Sequence, residues 1–103
     1  MHVIVWEFAV SDEHQEAFEK AYGPEGDWAV LFRTAPGYRG TELLRDEHVT
    51  GRYLTIDRWD TAEDFGAFKK RSSETYEATD RKFESLTYHE IKLGTFEVLD
   101  IRA

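Results

Sequence analysis

The sequence predicts an α+β domain in which helices cover one face of an antiparallel β-sheet. The first basis is the order of hydrophobic patterns along the 103 residues, which is strand, helix, short helix, strand, strand, helix, strand. The second is composition, because 41% hydrophobic and 15% aromatic residues are enough for one small core. No linker, repeat or low-complexity segment interrupts the chain, so we expect a single domain over residues 1–103.

The first strand is predicted at residues 2–10, HVIVWEFAV, which is apolar on both sides except for Glu7. Side chains alternate along a strand, so Trp6 and Phe8 share one side while Val5 and Glu7 share the other. Both faces of the sheet should therefore be covered at this strand.

Two helices are predicted after this strand. Ser11 fits the N-cap of the first helix, which ends at Gly23-Pro24. The short apolar segment WAVLFR at residues 28–33 predicts one or two further helical turns, with Asp27 placed to cap them.

A hairpin is predicted after the turn at Pro36-Gly37. The segments YRGTELLRD at residues 38–46 and RYLTIDRW at residues 52–59 are both typical of strands. The loop EHVTG joins them, so we expect strands two and three to pair with each other.

The next helix begins at a capping box, for which two pairs are candidates: Asp60 with Glu63, or Thr61 with Asp64. Residues 72–73, both serine, predict a break in this helix.

A second amphipathic helical segment follows that break, with Tyr76, Phe83 and Leu86 on one face. The tail at residues 88–99 is typical of a strand, and Gly94 predicts a bulge within it.

Charge and composition limit the partners. The formal charge is −8 and the longest basic run is residues 69–71, which argues against binding nucleic acid or an anionic membrane. The chain has no cysteine, no positively charged signal region and no apolar run near the ~20 residues needed to cross a bilayer. We expect a cytoplasmic protein whose partners are small molecules or itself.

The second face of the predicted sheet needs a cover. The predicted helices can cover only one face, yet the strands carry apolar side chains on both. We therefore expect a homodimer in which two sheets pack face to face.

Three segments carry a family resemblance. They are the turn APGY at residues 35–38 leading into GTELLRD, the strand YLTIDRW followed by DTAEDFGAF, and the late segment LTYHEIKLGTF. In order and spacing they resemble the antibiotic biosynthesis monooxygenase (ABM) domains of the dimeric α+β barrel superfamily. The resemblance covers nearly the whole chain and implies a ferredoxin-like four-stranded sheet, paired sheet to sheet.

The resemblance also implies a pocket between sheet and helices. In several relatives it implies oxygenation of polycyclic aromatics or quinols without metal or flavin, while others degrade haem, isomerise small signals or have no known activity. A haem-degrading member would place Asn on strand one and Trp, then His, on the long helix. This chain has Trp6 or Glu7, Phe68 and residues 76–78 there, which disfavours haem degradation. We expect no cofactor, and the chain has no P-loop or dinucleotide fingerprint.

Trp59 stands where strand three meets the following helix. We interpret it first as a core residue, with ligand contact as the alternative, because a buried Trp contributes a large apolar area. Aromatic residues also predominate in ligand pockets, although we interpret each candidate first as core packing. The other candidate pocket residues are Trp6, Trp28, Phe32, Tyr38, Phe68 and Tyr76.

The four histidines lie in four different elements and form no HxH or HxxxH pair, so we expect no metal site. His89 is the best acid–base candidate, because Ile91 and Leu93 alternate onto its strand face and would surround it with apolar groups. A hydrogen-bonded buried histidine is the alternative.

Arg33 and Tyr38 flank the Pro36-Gly37 turn, and together they could hold a phenolate or quinone oxygen beside an aromatic pocket. An ordinary exposed arginine is the alternative. We interpret the carboxylates inside predicted strands as members of cross-strand ion pairs. They are Glu7, Glu42, Asp57 and Glu90.

The first functional interpretation is a homodimeric, cofactor-independent monooxygenase that binds a small aromatic or quinone-type compound between helices and sheet. Arg33, Tyr38, Tyr76 or His89 would assist deprotonation and hold the oxyanion. The alternatives are a non-catalytic ligand-binding or interaction module and a cofactor-free isomerase. A packed sheet–helix interface would favour the module, and a cavity with His89 or Arg33 pointing into it would favour an enzyme.

Overall fold

The structure is a computed structural model that describes residues 1–99. These residues form a four-stranded antiparallel sheet in the order β2-β3-β1-β4, as a ferredoxin-like α+β fold requires. The predicted fold class and the predicted hairpin are confirmed. The strands are β1 His2–Ala9, β2 Tyr38–Arg45, β3 Arg52–Trp59 and β4 His89–Glu97.

The helices connect the strands and pack together on one side of the sheet. Short 3-10 turns precede the first helix at Asp12–His14 and follow the last at Glu84–Leu86. The α-helices are α1 Gln15–Tyr22, α2 Asp27–Phe32, α3 Ala62–Arg71 and α4 Ser73–Phe83.

Thr61 caps α3, which agrees with one of the two predicted capping pairs, Thr61 with Asp64. Its Oγ1 accepts a hydrogen bond from the backbone N–H of Asp64 at 3.0 Å. The helix ends at Ser72, where the chain turns into α4, so the predicted break is confirmed.

Two predicted caps are wrong. The Ser11 hydroxyl contacts Nδ1 of His14 at 3.2 Å rather than a backbone N–H, and a 3-10 turn intervenes before α1. Gly26 occupies the N-cap position of α2. Asp27 is the first residue of that helix, and its carboxylate pairs with Lys82 instead.

The turn before β2 requires glycine at position 37. Gly37 has a φ of +90°, and a Cβ there would lie 2.4 Å from a carboxylate oxygen of Asp64. Its carbonyl accepts from the N–H of Asp60 at 2.7 Å, which fixes the start of β2 beside the end of β3. The predicted bulge in β4 is also present, since the β1–β4 register shifts between Val5 and Trp6, where Val5 faces Gly94.

The core lies between the helices and one face of the sheet. Alternate β3 residues, Tyr53, Thr55, Asp57 and Trp59, are buried on that face. The helices contribute Phe18, Tyr22, Trp28, Phe32 and Phe68 to the same core.

The other face of the sheet has no helix over it in the described part of the chain. Leu44, Ile91 and Phe96 are exposed, and Leu54 and Ile56 are partly exposed. We call this surface the open face. No helix within residues 1–99 is long and apolar enough to cross a membrane.

Candidate functional site

A cleft separates the central strands from the helices. Its empty volume is about 430 Å³, part of which is open to solvent. The lining residues are Trp6, Phe8, Tyr22, Trp28, Phe32, Thr41, Thr55, Asp57, Tyr76, Asp80 and Glu90.

Strand alternation positions the floor of this cleft. Trp6 of β1 lies opposite Thr55 of β3, and Asp57 follows two residues later on the same face. Thr41 of β2 lies opposite Asp57. The roof comes from α1, α2 and α4, which carry Tyr22, Trp28, Phe32 and Tyr76.

Asp57 is the most unusual polar group of the cleft. Its residue is only 8% exposed, and burial raises the pKa of its carboxyl to about 6, an effect that the Thr41 hydroxyl partly offsets. Thr41 Oγ1 donates to Oδ1 of Asp57 at 2.6 Å and accepts from the Tyr38 hydroxyl at 2.5 Å. The other carboxylate oxygen, Oδ2, accepts no hydrogen bond from any residue within 1–99.

The prediction of an ion pair for Asp57 is wrong. The neighbouring Arg58 points to the opposite face of the sheet and pairs there with Glu42. For Glu42 the expected pair is therefore confirmed. It is confirmed for Glu7 as well, which meets Arg52 at 2.5 Å.

The tyrosines near the cleft keep their protons at neutral pH. Burial raises the pKa of Tyr76 to about 12, and the negative charges of Asp80, Asp57 and Glu90 make smaller contributions in the same direction. Burial also raises the pKa of Tyr38. Both hydroxyls are therefore hydrogen-bond donors rather than bases.

His89 lies outside the cleft. It is exposed at the start of β4, opposite Ala9 on the open face, with Nε2 3.3 Å from Oε2 of Glu7. The alternation that groups it with Ile91 also turns it away from the helices.

Arg33 also lies outside the cleft. Its Nη2 donates to the carbonyl of Pro24 at 2.7 Å and lies 3.1 Å from a carboxylate oxygen of Glu25. Burial raises the pKa of the Tyr38 hydroxyl, and the charge of Arg33 opposes that effect.

The predicted pocket aromatics divide into two groups. Trp6, Trp28, Phe32 and Tyr76 line the cleft, whereas Trp59 and Phe68 are fully buried in the core. Tyr38 reaches the cleft only through Thr41.

Trp59 is core packing. Its ring centroid lies 5.3 Å from that of Tyr38 and 5.3 Å from that of Phe65, and the residue is 0% exposed. Its indole N–H finds no acceptor among the described residues, contrary to the expectation that a buried tryptophan is hydrogen-bonded.

Sequence reasoning missed Phe8, Tyr22, Thr41, Thr55 and Asp80 as lining residues. It also gave Asp57 and Glu90 the wrong role, because neither forms an ion pair within residues 1–99. The sequence did indicate that Asp57 faces the core, because it is the one acidic residue in the row of alternate β3 residues that are buried. No group of three or more His, Asp or Glu side chains within residues 1–99 is arranged to hold a metal ion.

A four-stranded antiparallel sheet with helices on one side defines the ferredoxin-like α+β class. The model of the family "Antibiotic biosynthesis monooxygenase" matches residues 1–81, so the chain belongs to the ABM family. The comparison with curated proteins gave no match.

Solved structures share this fold at low sequence identity. SnoaB, a cofactor-independent oxygenase from Streptomyces nogalater, is 18% identical with a TM-score of 0.70, over 97% of this chain and 94% of SnoaB. A mutant of MhuD, solved with two manganese protoporphyrin IX molecules bound per active site, is 23% identical with a TM-score of 0.74, over all of both chains. Rv0793 from Mycobacterium tuberculosis is 12% identical with a TM-score of 0.70, over 99% of this chain and 98% of Rv0793.

Proposed function

We propose that this protein binds a small aromatic or quinone-type compound in the cleft and oxygenates it without a cofactor. The observation that supports the proposal most directly is Asp57, a buried carboxylate with one uncommitted oxygen on the floor of an aromatic-lined cleft. SnoaB, which has a similar fold, is a cofactor-independent oxygenase.

In the proposed reaction, ionised Asp57 removes a proton from an acidic carbon of the substrate. The resulting carbanion passes its electrons to O₂. One oxygen atom becomes a carbonyl of the product, and the other leaves as water with two hydrogens from the substrate. For an anthrone, the methylene carbon is thereby oxidised to the second carbonyl of an anthraquinone.

The environment of Asp57 suits this role. A base works best when its pKa lies near the working pH, and burial brings the pKa of Asp57 to about 6. The hydrogen bond from Thr41 fixes the carboxylate, and Tyr38 fixes Thr41 in turn.

Tyr76 would hold the oxyanion that develops on the substrate. It lines the cleft and keeps its proton at neutral pH, so it can donate a hydrogen bond to that charge. His89 and Arg33 have no part in this assignment, because neither lines the cleft.

A cofactor-free isomerase is the second candidate. Proton removal by Asp57 would begin that reaction equally well, with the proton returned to a different carbon instead of electrons passing to O₂. Oxygen consumption separates the two candidates.

The proposal includes a homodimer formed through the open face. Its exposed apolar side chains, Leu44, Ile91 and Phe96, lie on strands whose other face is already packed against helices. A second copy of the chain would present the same row and cover it.

Oxygen uptake with anthrone tests the proposed reaction. We expect uptake above the buffer rate with formation of anthraquinone, and a decrease of at least about 100-fold in the Asp57→Asn variant. Glu47→Gln, which removes an exposed carboxylate from the β2–β3 loop, is the matched control and should keep the wild-type rate. Uptake at the buffer rate, or an undiminished Asp57→Asn variant, would contradict the proposal.

A further inference from the structure

The walls of the cleft are aromatic on several sides. Trp6, Tyr22, Trp28, Phe32 and Tyr76 all line it. The rings of Trp28 and Tyr76 meet edge to face, with centroids 5.0 Å apart and an interplanar angle of 64°. Aromatic faces attract cations, and walls built from several of them form the cages that bind organic ammonium groups.

Three carboxylates lie among these rings without a cationic partner. Asp57, Asp80 and Glu90 belong to three different elements and line the same cleft. Ion pairs are common elsewhere on this protein, yet none formed within residues 1–99 includes any of the three. This cleft therefore holds a concentration of negative charge that the described part of the protein leaves uncompensated.

The basic side chains near the cleft do not form ion pairs with these three carboxylates. Lys92 lies beside Trp6 in the sheet but does not line the cleft. Lys82 pairs with Asp27, and the Nζ of Lys69 lies 4.8 Å from the ring centroid of Tyr76. The Lys69 contact shows that this ring accepts a cation, but Lys69 does not line the cleft either.

Negative charge in the cleft adds to burial in raising the pKa of two of its tyrosines, Tyr22 and Tyr76. The Glu90 residue as a whole is exposed, but its carboxyl is partly buried. That burial raises the pKa of the Glu90 carboxyl, and the charge of Asp80 raises it further. A bound cation would favour the ionised form of each of these groups.

An organic cation fits this site better than a metal ion. Asp57, Asp80 and Glu90 are not arranged as a metal-binding group. The buried Asp57 also keeps Oδ2 without a donor from residues 1–99 in the same cleft, and its negative charge adds to the attraction for a cation.

We propose that the cleft selects aromatic compounds that carry a protonated amine, with the ring against the aromatic walls and the ammonium group at Asp80 and Glu90, so that Oδ2 of Asp57 stays free to act as the base. The inference rests on the proposed function in one respect, which is that the cleft is the site that binds a small aromatic compound.

Calorimetric titration of the intact protein at pH 7.5 tests the inference with three probes that share one ring system. They are 2-naphthylmethylamine, which is cationic, 2-naphthylmethanol, which is neutral, and 2-naphthoate, which is anionic. We expect the amine to bind at least about tenfold more tightly than the alcohol, and the carboxylate to bind most weakly.

Two variants connect the preference to the carboxylates. Asp80→Asn and Glu90→Gln should each weaken binding of the amine several-fold and leave binding of the alcohol unchanged, which also shows that the cleft has kept its shape. The matched control is Glu74→Gln, which removes an exposed charge from α4 that does not line the cleft and should leave both affinities unchanged.

The outcomes separate the two proposals. If the alcohol or the carboxylate binds as tightly as the amine, or if the variants bind the amine normally, the charge preference is wrong while the aromatic site stands. If none of the three probes binds, the aromatic site itself is wrong, and the charge preference fails with it.

Discussion

At the scale of single residues, Asp57 lowers the stability of the fold and is also the proposed base of the reaction. Its carboxyl is buried with one hydrogen bond from Thr41 and no basic partner in the described chain. Burial raises its pKa from 3.8 to about 6, so the native protein holds this proton more tightly than the unfolded chain does. Below about pH 4 both states are protonated, and above about pH 6 both are ionised.

The first prediction concerns Asp57→Asn. As the pH rises from 4 to 6, ionisation of Asp57 lowers the free energy of unfolding of the wild type by an amount of about 3 kcal/mol. The asparagine does not titrate, so the variant should be more stable than the wild type by up to about that amount at pH 7.5 and nearly equal to it at pH 4. Urea unfolding at both pH values and one protein concentration measures the difference.

The control for this prediction is Glu47→Gln, which should follow the wild type at both pH values because Glu47 is exposed. A stability difference between Asp57→Asn and the wild type that stays constant from pH 4 to 7.5 would contradict the raised pKa. Higher stability together with lost oxygen uptake would show that the carboxylate is retained for the reaction.

At the scale of elements, the start of a helix depends on which hydrogen bond its capping side chain forms. Thr61 has an extended backbone and meets the N–H of Asp64, which matches its sequence signal. Ser11 is extended as well, but its hydroxyl is taken by the His14 ring. The sequence offers the same type of capping residue at both sites, and only the three-dimensional position of a competing side chain distinguishes them.

The second prediction concerns Thr61→Ala. Loss of the hydroxyl leaves the N–H of Asp64 without its acceptor and should lower the free energy of unfolding by about 1 kcal/mol. Thr50→Ala is the matched control, because Thr50 is exposed in the β2–β3 loop and its hydroxyl makes no hydrogen bond within residues 1–99. Equal denaturation midpoints for wild type and Thr61→Ala would show that this cap does not stabilise α3.

At the scale of the whole molecule, the two faces of the sheet differ in what covers them. The helix side is packed around Phe18, Trp59 and Phe68, all fully buried. The open face exposes Ile91 and Phe96 to solvent in the single chain. Exposed apolar side chains on one face of a sheet are typical of an interface, which supports the proposed sheet-to-sheet dimer.

The third prediction concerns Ile56→Arg. Ile56 lies on β3 between Val5 and Glu42 of the neighbouring strands and points to the open face. A charge there would be buried without a partner in the proposed dimer, so we expect a folded monomer where the wild type is a dimer. Sedimentation equilibrium measures the mass, and circular dichroism checks the fold.

The control for the dimer prediction is Val30→Arg, which places the same charge at an exposed site on α2, on the helix side of the sheet. This variant should remain a dimer. A monomeric wild type, or an Ile56→Arg variant that stays dimeric, would contradict assembly through the open face.

The sequence by itself determined the order of strands and helices, the Gly37 turn, the bulge near Gly94 and the family, because alternation and turn chemistry act over a few residues. Only the tertiary structure decided which residues form the cleft. It turned His89 to the open face, enclosed Trp59 in the core and brought Asp57, Asp80 and Glu90 to the same cleft. These positions depend on how distant segments pack against one another, and a pattern confined to one segment does not contain that information.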